Sequence, residues 1–143
     1  MTKKDVVLAM MKAHNDHDVE AVKKLATPDA VYASDGNADI PWADFADALG
    51  ALWKSFPDMK WSWDDVSPEG NFVNPDMNGT HTANAYGFGD YAAIPATGAK
   101  VKFPNERWEF VVVDGKVQKW AVSPPPGARG GPPGVYEQIG GKL

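Results

Sequence analysis

The sequence predicts an α+β fold, a cone-shaped curved antiparallel sheet with three N-terminal helices packed on its concave face. Three observations predict it. Apolar residues recur at helical spacing up to Pro57 and at period two beyond it. Helices come first and strands afterwards, an order that belongs to α+β rather than to alternating βαβ units. Asp114-Gly115, flanked by two strand-like runs, is the dipeptide most typical of a two-residue hairpin, so neighbouring strands run antiparallel.

Each element follows from its residues. Val6, Val7, Met10, Met11 and His14 share one helical face, so Lys3 to about His14 reads as an amphipathic helix. "HNDHD" interrupts it, and Asp16 is placed to cap a second short helix with Val19, Val22 and Leu25 as its buried stripe. His14, His17 and the acids around them read as an exposed connection, not a metal cluster, because no histidine pair sits at i, i+4. "DAVYAS" has strand composition and "DGNAD" reads as a turn. In the third helix Asp39 is the expected cap, Pro41 suits the first turn, and Trp42, Phe45, Leu49, Leu52, Trp53 and Phe56 form one face. Beyond Pro57, Trp61 and Trp63 alternate with polar residues, and Phe72 to Thr82 is strand-like with an expected bulge or edge at Pro75. "VKFPNERWEFVVV" and "KVQKWAV" form the hairpin about Asp114-Gly115. Alternation points Trp61, Trp63, Trp108, Phe110 and Trp120 toward the helices and Lys60, Arg107, Glu109 and Lys119 away. Residues 123–134 are too rich in proline and glycine for a helix or sheet interior and read as a linker or dimer-edge wrap.

Composition limits the function classes. A chain of 143 residues fits one domain, 1–143. Six Trp, six Phe and four Tyr are more large rings than such a core usually needs, so some are expected to line a cavity. The net charge of −5, with no Lys/Arg run longer than two, lacks the footprint of nucleic-acid binding. The absence of cysteine removes disulfides, thiolate nucleophiles and Cys-ligated zinc. No apolar run approaches roughly 18 residues, and the N-terminus lacks a cleavable leader pattern. These features predict a cytoplasmic protein with no membrane or metal requirement.

The pieces "AHNDHDVEAVKKLATPDAVYAS", "FPDMKWSWDDVSPEGN", "GTHT", "PATGAKVKFP", "DGKVQKW" and "EQIG" occur in an order that resembles the SnoaL-like polyketide cyclases. That family lies in the cystatin-like cone superfold with nuclear transport factor two, ketosteroid isomerases and limonene epoxide hydrolase. The resemblance implies intramolecular aldol ring closure without metal or cofactor, with the "GTH" histidine, here His81, lining the pocket. The family's acid/base aspartate has no counterpart, since "AVSPPPGARGGPPGVYE" between Trp120 and Gln138 contains no Asp. Set against the isomerases, the oxyanion-donating tyrosine falls near Met10, and Asp35 or Ser34 takes the position of the base.

The expected ligand is therefore a small apolar oxygenated molecule, polyketide- or steroid-like, in a pocket lined by Trp61, Trp63, Trp108, Phe110, Trp120 and Tyr86. His81, Tyr32 and Asp35 are the candidate catalytic residues; the alternative for His81 is a histidine hydrogen-bonded within the sheet. Two classes stay open: a cofactor-independent cyclase or isomerase, and a non-catalytic ligand-binding or accessory protein that has lost the aspartate. A homodimer through the outer sheet face is expected in either case. The loop from Ala83 to Ile94, with "GFGDY", reads as a mobile lid and not as a phosphate loop.

Overall fold

The first helix, α1 (Lys3–Asn15), starts at a capping box in which Thr2 and Asp5 bond each other's backbone N–H groups. The computed structural model describes residues 1–34, 38–103, 106–124 and 129–143. Helix α2 (Val19–Lys24) is capped by Asp18, whose side chain accepts from the Ala21 N–H, while Asp16, the expected cap, closes the end of α1. Helix α3 (Trp42–Ser55) buries the predicted face and follows directly from a short strand, β2 (Ile40–Pro41). Pro41 occupies its N-cap position with no side-chain bond, so Asp39 does not cap it. The Trp42 indole donates to the Val22 carbonyl at 2.9 Å and ties α3 to α2.

The strands form two sheets rather than one. Strands β1 (Ala26–Ser34), β2, β4 (Phe72–Val73), β7 (Arg107–Val113) and β8 (Lys116–Ser123) make a five-stranded sheet in the order β2-β1-β8-β7-β4. Strands β3 (Lys60–Ser62), β5 (Asp76–Thr80) and β6 (Lys100–Phe103) make a three-stranded sheet in the order β3-β5-β6. All pairings are antiparallel except β1 with β8. Asp114 and Gly115, at φ 50° and 78°, make the hairpin between β7 and β8; both angles suit the right-handed strand twist. The longest strand, β1, lies outside this hairpin.

Proline explains the division. Phe72 to Thr82 does not run as one strand: β4 pairs with β7, β5 pairs with β3 and β6, and Asn74-Pro75 lies at the change of sheet. A proline cannot donate to a ladder, so the chain turns the corner there. "VKFPNERWEFVVV" likewise contributes to both sheets, as β6 and β7. Both edges of the three-stranded sheet are closed by amide side chains. Asn15 accepts from the Trp61 N–H (2.8 Å) and donates to its carbonyl (2.9 Å) on β3. Gln138 does the same to Lys102 on β6, at 2.8 and 2.9 Å. Each amide takes the place of a missing strand and removes an open edge.

A fourth helix, α4 (Gly131–Gln138), corrects the reading of residues 123–134: their last four residues are its first turn. Pro132 and Pro133 fit because the first N–H groups of a helix have no intrahelical partner to lose. The Tyr136 hydroxyl donates to the Ala92 carbonyl at 2.7 Å, and its ring meets Phe88 and Tyr91, so α4 holds the Ala83 to Ile94 loop.

The core centres on α1. His14 is fully buried, contrary to the exposed connection expected of "HNDHD", because it continues the helical face of Val7, Met10 and Met11. Four indoles, Trp53, Trp61, Trp108 and Trp120, surround its ring at centroid distances of 4.7–5.8 Å. Its Nδ1–H donates to the Met10 carbonyl at 2.8 Å, and its Nε2 has no hydrogen-bond partner. Neighbouring His17 stacks on Trp53 (5.0 Å, 1°) and its Nε2 lies 2.8 Å from the Met59 carbonyl.

Burial disfavours the imidazolium and lowers the His14 pKa from 6.5 to about 4, with the bond to Met10 opposing and His17 adding to the shift. The folded state thus holds His14 neutral while the unfolded chain protonates it. Its contribution to stability is intact above pH 6.5 and is lost as the pH falls toward 4, by about 3 kcal/mol. Urea unfolding at neutral pH and at pH 4 should show the parent losing that much more stability than His14→Phe. Equal losses would show that His14 is not held neutral.

Candidate active site

A cavity lies between the inner face of α3, the concave side of the sheets and the start of α4. Its volume is about 80 Å³, against roughly 10–15 Å³ for one water on the same measure. Phe45, Leu49, Trp61, Trp108 and Trp120 supply most of a strongly apolar wall. Period-two alternation puts Trp108 and Trp120 on this side of β7 and β8, and their rings meet edge-on at 4.4 Å.

One carboxylate interrupts the wall. Glu106 lines the cavity and is 4 % exposed. It stands at the corner between the two sheets, where its backbone is held at both ends. Its N–H donates to the Pro75 carbonyl (3.1 Å), and its own carbonyl accepts from the Asn74 amide (3.3 Å). The Trp108 indole donates to Oε1 at 3.4 Å. Burial disfavours the carboxylate and raises the Glu106 pKa from 4.5 to about 7; the indole bond opposes this only in part.

Tyr32 lines the same cavity from β1, its ring stacked on Phe45 at 4.2 Å and 5°. Burial pushes its phenol well above the usual tyrosine range, the nearby Glu106 charge adds to this, and a hydrogen bond with the Ser34 side chain opposes it. The phenol is thus a donor that keeps its proton. Glu106, Tyr32 and Ser34 converge on the start of α4: a β-carbon on Gly130 would lie 3.5 Å from Glu106 Oε2, and one on Gly131 would lie 3.5 Å from the Tyr32 hydroxyl and 3.7 Å from Ser34 Oγ.

Of the residues singled out from sequence, Tyr32, Trp61, Trp108, Trp120 and Tyr86 line this cavity. Phe110 is buried behind it, stacked on Trp120 at 5.7 Å and 13°, and takes no part in the lining. Trp63 is only half-buried, because β3 ends at Ser62 and the alternation that would turn it inward stops there. Asp35 lies outside the described residues. His81 is fully buried but does not line the cavity. Its Nε2–H donates to the Asn84 carbonyl at 2.9 Å, its Nδ1 accepts from the Thr97 N–H at 3.4 Å, and its ring stacks on Phe56. Both nitrogens are committed to backbone groups of the loops that flank β5 and β6. His81 is thus hydrogen-bonded, as in the alternative reading, but to Asn84 and Thr97 in these loops and not within the sheet.

Sequence reasoning missed Glu106, and a signal for it was present. Glu106, Trp108, Phe110 and Val112 share one parity, so a carboxylate stands at the head of an inward-facing apolar series. Among the described residues no group of three His, Asp or Glu is placed to hold a metal, and no helix is long and apolar enough to cross a membrane.

Residues 7–120 match the family described as SnoaL-like domain. No curated protein matches the sequence significantly. Among solved structures, the chain is similar to AclR, a candidate hydroxylase from Streptomyces galilaeus, at 24 % identity over 96 % of this chain and 80 % of AclR, with a TM-score of 0.67. It is similar to IdmH, a candidate polyketide cyclase from Streptomyces antibioticus, at 22 % identity over 85 % of this chain and 91 % of IdmH, with a TM-score of 0.64. An LEH-like epoxide hydrolase from M. tuberculosis matches at 17 % identity over 96 % of this chain and 86 % of that one, with a TM-score of 0.62. Likeness at these identities establishes the cone fold and not an activity. With a sequence match that runs from α1 into β8 and a curved, helix-covered sheet around one cavity, the chain belongs to the SnoaL-like domain family, within the cystatin-like cone fold.

Proposed function

We propose that this protein binds a small apolar carbonyl compound and moves a proton on it without metal or cofactor, with Glu106 as the acid/base and Tyr32 as the donor to the oxygen. The observation that carries the reading is a buried carboxylate with a pKa of about 7 in an otherwise apolar cavity. A base with a pKa near the working pH offers both a useful ionised fraction and a proton to return. In the ionised form Glu106 removes a proton from the carbon beside a carbonyl. The electron pair moves onto the carbonyl oxygen, where the Tyr32 O–H stabilises the developing enolate. In a β,γ-unsaturated carbonyl compound Glu106 then returns the proton to the γ-carbon of the dienolate, which isomerises the molecule; in a dicarbonyl compound the enolate carbon attacks the second carbonyl and Glu106 returns the proton to the resulting alkoxide, which closes a ring. In this reading His81 acts from outside the cavity by holding the Asn84 and Thr97 loops. A homodimer through the outer face of the five-stranded sheet is also proposed, supported by Val111 and Val113, which are 47 % and 38 % exposed there. Light scattering should give a mass of twice 15.4 kDa; a single-chain mass would remove it.

The main test is deuterium uptake at the α-carbons of a simple cyclic ketone in heavy water, followed by NMR. Glu106→Gln should slow the catalysed uptake by about 10²- to 10⁴-fold. The parent rate should rise with pH about a midpoint near 7. Stability should move the other way. The raised pKa favours the protonated folded state, so this contribution is present below pH 4.5 and is lost as pH rises through 7. Glu106→Gln should therefore gain about 3 kcal/mol relative to the parent between those limits. Ligand binding with no uptake in either protein would instead favour the non-catalytic binding class.

His81→Ala leaves the Asn84 carbonyl and the Thr97 N–H without their partner, so it should lower the melting temperature while the folded fraction keeps the uptake rate. Asp35→Asn, measured beside it, tests the expectation for that residue. A His81→Ala protein of parental stability with no uptake would return the proton-carrying role to His81.

A further inference from the structure

The polar end of the cavity is bordered by two residues without side chains. Gly131 lines the cavity, and Gly130 precedes it as the N-cap of α4. Their backbones differ. Gly131 has φ +66°, a region that L side chains seldom adopt, so its identity follows from conformation alone. Gly130 has φ −96° and ψ −179°, extended backbone open to any residue. Conformation does not require glycine there. A β-carbon on Gly130 would lie 3.3 Å from the Pro124 β-carbon and 3.5 Å from Glu106 Oε2. A methyl group would therefore enter at the edge of contact and occupy the space beside the carboxylate, while one on Gly131 would occupy the space before the Tyr32 and Ser34 hydroxyls.

We infer that Gly130 and Gly131 determine specificity: the space they leave beside Glu106 and Tyr32 admits an oxygen function whose neighbouring carbons carry substituents, such as a hindered phenol or an α-substituted ring ketone. This rests on the reading of Glu106 and Tyr32 as the groups that meet the ligand oxygen. A methyl on either glycine removes room beside that oxygen and leaves the apolar walls intact. The expected change is in selectivity, since one added methyl in a packed site discriminates ligands by about 10- to 200-fold.

The experiment titrates the intrinsic fluorescence of Trp61, Trp108 and Trp120 with phenol and with 2,6-dimethylphenol, for the parent, Gly130→Ala, Gly131→Ala and Gln138→Ala. Both glycine variants should weaken 2,6-dimethylphenol by about tenfold or more and phenol by less than about threefold. Gln138→Ala loosens α4 at its far end and should affect both phenols alike. Equal losses for the two phenols in Gly130→Ala, or no loss, overturn the inference. Should Gly131→Ala fail to fold because of its left-handed φ, Gly130→Ala decides. Should that variant fail through its contact with Pro124, the Pro124→Gly/Gly130→Ala pair carries the test, because it keeps the methyl and removes the Pro124 β-carbon that lies 3.3 Å from it. Glu106→Gln separates the two ideas. Phenol binding to the parent should change with pH about a midpoint near 7 and lose that dependence in Glu106→Gln. If neither phenol binds the parent, or binding shows no such dependence, the acid/base reading fails and the inference with it. If the dependence is present and the glycine variants are unselective, only the inference fails.

Discussion

The indole of Trp108 donates its N–H to Glu106 and packs the same ring into the tryptophan cluster around His14. The core and the cavity therefore share a wall. A carboxylate whose one side-chain hydrogen bond among the described residues is a long indole contact gains little to offset the loss of water, so its proton is held far more tightly than in solution. That wall stays in place because Trp108 meets Trp120 at 4.4 Å and Trp61 at 6.1 Å, with Phe110 stacked on Trp120 from behind. Large rings bury much area with few rotatable bonds, which makes such a wall rigid.

The second constraint is the corner between the sheets. At this corner the segments from β4 to β5 and from β6 to β7 pass from one sheet to the other, and Pro75 and Glu106 meet there through one backbone hydrogen bond. A corner is the natural position for an inward carboxylate, because regular ladder pairing is interrupted and the side chain projects into the angle between two apolar surfaces. The amides of Asn15 and Gln138 complete the arrangement by closing the outer edges of the smaller sheet. The chain thus keeps its sheet ends off other molecules while α4 is drawn down over the cavity.

His14 and Glu106 are the two buried ionisable side chains with the largest consequences among the described residues, and burial acts on them in opposite senses. It favours the neutral form of each, so lowering the pH strains one and raising it strains the other. Between pH 4.5 and 6.5 the two contributions change in opposite directions and offset, while Glu106 stays mainly protonated.

Much of the fold was legible because it rests on local periodicity. The helical faces of α1 and α3, the inward parity of Trp61, Trp108 and Trp120, and the Asp114-Gly115 hairpin all follow from residue spacing and backbone preference, which need no knowledge of distant contacts. The parallel pairing of β1 with β8, the division into two sheets and the fourth helix did not follow, since each depends on which distant segments come to lie side by side. The site divides in the same way. Composition leads to the expectation that some rings line a cavity, and Tyr32 is one candidate among its site residues. Only the tertiary structure decided that His81 is turned to Asn84 and Thr97, and that Glu106, fifteen residues before the Asp-free segment that starts at Ala121, supplies the cavity's carboxylate. The physical reason is that the proton affinity of a side chain is set by its burial and its partners, and these come from segments far apart in the chain.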